Sequence, residues 1–269
     1  MGRLNRFLAS NNKQELLWLQ LQSVQDKVTS PSGLLSKIRW MRYLKSINAG
    51  ATIPAPYSVD FYRKSLTKLN SCDDIIVGTL GESVGETLPY VVLRHDIDLP
   101  ECVSNLYRLT DVEEELGLRS SIVVRVDGLD YDPVTCKELI SDHVDRGFEI
   151  GLHSTAYFDD DPLSALGREL DEFKKIFGIC PKVYNFHGGF DEHLVKRIKL
   201  GRQFDQVKRK WPFLKISDSN SGFYDYRISD CKTRNGQRVI LQDSINPPLS
   251  LILKSHKLVL FLTHPCYWR

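Results

Sequence analysis

At 269 residues the chain can bury one substantial core, and 42% apolar with 26% charged side chains is the balance of an ordinary soluble globular protein. A net charge of +2 excludes the strongly basic character that a nucleic-acid partner would demand, so no nucleic acid is expected. No apolar stretch is long enough to cross a bilayer, the opening MGRLNRFLAS lacks the apolar run of a secretory leader, and Arg6 stands where a myristoylation signal has Ser or Thr; a cytoplasmic location is expected.

In chain order, Leu17, Leu21, Val24 and Val28 share one helical face before TSPSG breaks the run. A second helix, LLSKIRWMRYLKSI, carries Lys37, Arg39, Arg42 and Lys45, and no acid occurs between Pro31 and Val59. That basic face is read as solvated, on a helix whose Ile38 and Met41 pack against the main domain. A weak association with an anionic membrane surface, anchored by Trp40 and Tyr43, is the other reading. Residues 1–57 are therefore expected to form a helical extension and residues 58–269 the main domain. The main domain opens with SVDFYRKSLTKLN, which puts Val59, Tyr62, Leu66 and Leu69 in register, and the Gly-rich GTLGESVGETLP follows.

From Tyr90 a unit recurs: a short apolar strand, a polar residue at its end, then an amphipathic helix opened by Pro or Asp and closed by Gly. YVVLRHDID precedes a helix over 100–116, SSIVVRVDG a helix over 133–146, and FEIGLHS the helix DPLSALGRELDEFKKIFG with Leu163, Leu166, Leu170, Phe173 and Phe177 as its stripe. KVYNFHGG leads to a shorter helix around Leu194 and Ile198; a strand at FLKIS, a helix near Leu249 to Leu253 and a last strand KLVLFLTHP complete the pattern. Such alternation implies parallel strands with right-handed crossovers, and fewer than eight units imply an α/β fold of the distorted, incomplete (β/α) barrel type.

Parallel strands gather their C-terminal residues on one rim, here Asp96, Asp98, His153, His187, Asp218 and His264. Asp96 and Asp98 share one side of an extended segment while Ile97 turns away, and two carboxylates that close call for a cation. Otherwise Asp98 caps the helix at Pro100 and Asp96 pairs with Arg94. The six cysteines (72, 102, 136, 180, 231 and 266) contain no Cys-x-x-Cys pair and are read as reduced thiols.

VLRHDID, EIGLHST and LFLTHP resemble the first, second and last motifs of the polysaccharide deacetylase family, specifically its Asp-x-Asp members found with surface-polysaccharide and O-antigen biosynthesis enzymes. The similarity spans roughly residues 58–269. It implies metal-dependent removal of an N-acetyl group from an amino sugar, and the expected cytoplasmic location points to a sugar carried on a nucleotide or lipid. Asp96 would be the general base, Asp98 and His153 metal ligands, and His264 the acid that protonates the departing amine. A divalent metal, zinc first, suits that role because it lowers the pKa of its water to about 7 and polarises the amide carbonyl. Backbone N–H groups at Gly188 or Gly189 would stabilise the oxyanion, and Arg94, Tyr157 and Asp218 join them as substrate contacts. Two positions depart from the family pattern: Tyr157 replaces a second histidine in HSTAY, and FHGG stands where Arg-Pro is usual. His187 is the expected third ligand, with Asp159 and Asp160 as the other source. The alternative is a non-catalytic barrel that binds a sugar or scaffolds an assembly complex. A nucleotide-sugar glycosyltransferase using Asp-x-Asp is disfavoured by the histidines at later strand ends.

Overall fold

The computed structural model describes residues 52–54, 57–83, 88–187, 204–216, 224, 226–230, 232–234, 237–241 and 258–269. Nearly all of the expected N-terminal extension lies outside them, as do the helices expected around Leu194 and near Leu249, together with Gly188, Gly189 and Asp218.

The strands are β1 (Thr52–Pro54), β2 (Ile76–Gly78), β3 (Tyr90–Ile97), β4 (Ser121–Val124), β5 (Glu149–Ser154), β6 (Val183–Phe186), β7 (Lys215–Ile216), β8 (Tyr226–Ser229), β9 (Lys232–Arg234), β10 (Gln237–Leu241) and β11 (Leu258–Thr263). The helices are α1 (Val59–Asn70), α2 (Pro100–Glu115), α3 (Lys137–Asp145), α4 (Pro162–Phe177) and α5 (Phe204–Lys210). One parallel sheet runs in the order β7-β6-β5-β4-β3-β11-β8, and β1, β10 and β9 form a separate antiparallel sheet. Along one edge of β3, β2 pairs with Tyr90 to Val92 and β4 with Arg94 to Ile97, while β11 takes the other edge. Among the described residues no ladder joins β7 to β8, so the chain forms the incomplete (β/α) barrel expected from its sequence.

β3 is an inner strand between β4 and β11, apolar on both faces from Tyr90 to Leu93, and every one of its eight residues is buried. Ile97, Ile122, Val124, Ile150, Leu152, Tyr184 and Phe186 pack outwards against the helices, whereas Val92, Val123, Val183, Leu260 and Leu262 fill the barrel. Gly151 belongs to the inner set, where an added Cβ would come within 2.3 Å of the Val183 side chain and 2.6 Å of its carbonyl oxygen. α4 starts where Asp161 accepts the Ser164 N–H at 3.3 Å with Pro162 next in line, and ends at Gly178 with φ 73°. Its buried stripe is Ala165, Leu166, Leu170, Phe173 and Ile176, with Leu163 and Phe177 only half-buried at its margins. The helix expected over 133–146 begins instead as a 3-10 turn, Pro133–Cys136, capped by Asp132, before α3 takes over.

After β11 the chain turns through Pro265–Tyr267 and lies beside the segment before α1. Tyr57 N–H donates to the Tyr267 carbonyl and Arg269 N–H to that of Tyr57, each at 2.7 Å. Trp268 is fully buried there among Tyr57, Phe61 and Tyr62.

Candidate metal centre at the strand ends

The pleat of β3 sorts its polar residues. Arg94, Asp96 and Asp98 share the inward face, whereas His95 turns to the helices and lies 2.8 Å from Glu113 Oε1 on α2 and 2.5 Å from Thr263 Oγ1 on β11. The Tyr62 hydroxyl donates to the same Glu113 oxygen, so the histidine of RHDID belongs to a buried network beneath the site.

Arg94 is 1% exposed and grips Asp96 with both ends of its guanidinium, Nε to Oδ1 at 2.7 Å and Nη2 to Oδ2 at 3.0 Å. It therefore supports Asp96 from below, the pairing the sequence offered as its other reading, rather than meeting substrate. Burial would raise the Asp96 carboxyl, but Arg94 together with His153 and His264 holds it below the usual carboxylate range, so it is ionised at neutral pH.

Asp98 does not cap the following helix, whose N-cap position, Leu99, supplies no side-chain hydrogen bond. It faces three histidines instead. Its Oδ1 lies 3.0 Å from His153 Nε2 and 3.3 Å from His187 Nδ1, and its Oδ2 lies 3.4 Å from His264 Nε2. His187 Nδ1 and His153 Nε2 are 3.1 Å apart. Burial works against the charge on Asp98, yet the surrounding imidazoles hold its carboxyl far below the ordinary range. Asp98 Oδ1, His153 Nε2 and His187 Nδ1 are thus a compact triangle of donor atoms, the one such group among the described residues. A tetrahedral zinc with bonds of ~2.0–2.1 Å separates its ligands by roughly 3.3–3.4 Å, so this triangle needs to open by only a few tenths of an ångström. Among the described residues the buried Asp98 Oδ1 has no aligned hydrogen-bond donor, which is how a ligand oxygen looks when its partner is an ion. One carboxylate oxygen and two imidazole nitrogens suit zinc and leave a fourth position for water or substrate.

The end of β5 and the start of β6's loop are braced to present these ligands. Glu169 on α4 accepts from Ser154 Oγ at 2.5 Å and from the Thr155 N–H at 3.0 Å, immediately after His153. Burial raises the Glu169 carboxyl, although the hydrogen bonds from Ser154 and Thr155 work against that rise. His187 N–H donates to the Ser154 carbonyl at 2.9 Å, and its own carbonyl accepts from the Tyr157 hydroxyl. Tyr157 is fully buried, so it fixes the His187 backbone from behind; the sequence reading had assigned it to substrate. Asp159 pairs with Arg168 at 2.7 Å and accepts the Asp161 N–H at 2.9 Å, and neither it nor Asp160 belongs to the donor triangle.

His264 approaches from β11. Its Nδ1 lies 2.7 Å from Asp230 Oδ1, and its backbone N–H donates to Asp230 Oδ2 at 2.6 Å. Trp268 Nε1 also donates to that oxygen at 2.9 Å, and the Tyr57 hydroxyl donates to the Asp230 carbonyl at 3.1 Å. Asp230 is fully buried and was missed in the sequence. Its signal was the one used elsewhere, an acid just past a strand, but YRIS is four residues long with an arginine inside it and did not read as a strand. Beside the site, Cys266 hydrogen-bonds to Cys102 and thereby lowers that thiol to about 7. Cys72, Cys102, Cys136, Cys180 and Cys266 are free thiols. A cavity of about 390 Å³ lined by Gly81, Glu149, Lys182 and Lys215 opens at the opposite, N-terminal ends of the strands and holds none of the rim residues.

No protein-family model and no curated protein matches the sequence. Solved structures similar in part include the catalytic domain of a peptidoglycan N-acetylglucosamine deacetylase from Eubacterium rectale, with TM-score 0.45 and 15% identity over 65% of this chain and 76% of that one. A polysaccharide deacetylase from Bacillus cereus gives TM-score 0.38 and 14% identity over 66% of this chain and 79% of that one. A peptidoglycan deacetylase from Bdellovibrio bacteriovorus gives 0.37 and 16% over 72% and 48%. Among the described residues no helix is long and apolar enough to cross a membrane.

Proposed function

We propose that the chain is a metal-dependent hydrolase that removes the acyl group from an N-acylated amino sugar. The observation that carries this reading is the triangle of Asp98 Oδ1, His153 Nε2 and His187 Nδ1, flanked by an ionised carboxylate on Asp96 and an imidazole on His264. Bound by these three donors, zinc would activate a water and polarise the amide carbonyl.

The protein's own groups supply the proton transfers. Asp96 Oδ2 lies 3.7 Å from His153 Nε2, beside the donor triangle, and as a carboxylate it takes the proton that the attacking water loses. His264, with Nδ1 held by Asp230 and Nε2 turned to Asp98, gives a proton to the amine nitrogen as the C–N bond breaks. The new C–O bond leaves the acyl group as a carboxylate, and the sugar departs as an amine. Gly188 or Gly189, directly after His187 in sequence, is assigned the N–H that receives the oxyanion, and Asp218 a contact to the sugar. The motif resemblance adds the setting, surface-polysaccharide biosynthesis; in a cytoplasmic chain the sugar would be carried on a nucleotide or a lipid.

Acetate release from N-acetylated sugars, measured with metal content on the same samples, tests the reading. Asp96→Asn is expected to retain the metal and lose about 10²–10⁴-fold in rate, as for removal of a positioned base. Asp98→Asn is expected to lose metal and, with it, activity. Equal metal loss in both variants would overturn the roles, and no acetate from fully loaded wild type on any N-acyl sugar would leave a sugar-binding barrel as the better account.

A further inference from the structure

The inward face of β6 holds a second buried polar side chain next to the site. Asn185 is the register partner of His153 across the β5–β6 ladder. Both point into the barrel, as the clash between a Cβ on Gly151 and Val183, two residues before each, requires. Asn185 is fully buried, and among the described residues neither its amide oxygen nor its amide nitrogen has a hydrogen-bond partner. The same is true of Nδ1 of His153, which is 3% exposed. Two adjacent buried polar groups without partners are costly, and most folds avoid them.

His153 directs Nε2 at Asp98 and His187. An imidazole that ligates through Nε2 in its neutral form carries its proton on Nδ1, and metal-ligating histidines almost always donate that proton to an acceptor that fixes ring and tautomer. Neighbouring strands run about 4.8 Å apart, so a turn of the Asn185 amide brings its oxygen to the ring of its register partner. We infer that Asn185 is the positioning residue of the metal centre, accepting the Nδ1–H of His153 when the cation is held. The inference rests on the proposed metal site and adds a residue to it.

A merely structural asparagine and a positioning one differ in sign. Replacing a buried amide that has no partner by an apolar side chain of similar shape leaves the metal-free protein as stable as before or more so. Losing the acceptor weakens metal binding by ~10–100-fold. The test is zinc titration against a competing chelator, with the full-length chain as wild type, Asn185→Leu and Asn185→Asp, alongside denaturant midpoints of the chelated proteins. Asn185→Leu is expected to bind zinc ~10–100-fold more weakly without loss of metal-free stability, while Asn185→Asp, which keeps an acceptor, stays close to wild type. In the cobalt-substituted wild type a histidine Nδ1–H signal protected from solvent exchange is expected, and it should be absent in Asn185→Leu. Unchanged zinc affinity in Asn185→Leu, or a loss of affinity matched by a loss of metal-free stability, overturns the inference while leaving the metal site standing. A wild type that binds no zinc removes both.

Discussion

Arg94 and Asp96 stand two residues apart on one strand, and their buried pairing sets what Asp96 can do. Removing one member of a buried ion pair strands the other charge, at a cost of roughly 3–5 kcal/mol. Arg94→Leu should therefore lower the denaturant midpoint. Without the guanidinium, burial dominates and the Asp96 pKa rises, so the acid limb of the activity profile should move to higher pH; a profile that keeps its acid limb in a folded variant would separate Arg94 from the base. Asp230→Asn tests the opposite side of the site. An amide cannot replace the carboxylate that holds His264 Nδ1 and the Trp268 indole, so the rate is expected to fall about 10²–10⁴-fold at full metal content. Loss of metal in this variant would mean that Asp230 serves the ligands instead. Much of this was legible: the i, i+2 spacing of Asp96 and Asp98, and the histidines after apolar strands. Arg94 and Tyr157 were legible as site residues, but facing was not, because the pleat and a 3-10 turn bury both behind the groups they support.

At the scale of elements, α3 carries a pH-sensitive group. His143 is fully buried, with Nδ1 2.7 Å from the Leu139 carbonyl and Nε2 3.1 Å from Thr110 Oγ1 on α2. Burial lowers its pKa, and nearby Arg146 and His95 add to that, whereas the Leu139 carbonyl and Asp142 oppose it. The folded state thus holds His143 neutral while the unfolded chain binds a proton below its own pKa of about 6.5. Stability from this residue is complete above pH ~6.5 and falls as the pH drops below that value. Asp96 and Asp98, with depressed pKa values, lose their contribution only below about 4, while the raised Glu169 carboxyl titrates above its ordinary value, so it is the comparison with a His143 variant that isolates the histidine. Urea midpoints at pH 7.5 and 5.5 should drop more for wild type than for His143→Gln; equal drops would count against it. Element length decided what the sequence could reveal. α2 and α4, with Pro at the first turn and sixteen residues each, repeat their pattern often enough to be read. β2, β8 and β9, of three or four residues, are too short to show a period and are strands only because a longer neighbour pairs with them.

For the whole molecule, parallel strands converge six polar side chains on one rim: Asp96, Asp98, His153, His187, Asp230 and His264. The three donors come from the ends of β3, β5 and β6, so a metal held by them would tie three strands together and its binding would also be folding free energy. Zinc at a hundredfold excess over its dissociation constant should add ~2.7 kcal/mol, or roughly 5–10 °C in melting temperature for a chain of this size, reversed by chelation. The most direct test of the account is zinc-edge X-ray absorption on the full-length protein, without a polyhistidine tag, reconstituted with one equivalent of zinc. The expected result is a nitrogen and oxygen shell at ~2.0–2.1 Å with the outer-shell signature of two imidazoles, lost in Asp98→Asn. A sulfur shell at ~2.3 Å, which would place the ion on cysteine, or failure to retain the equivalent of zinc would contradict the account.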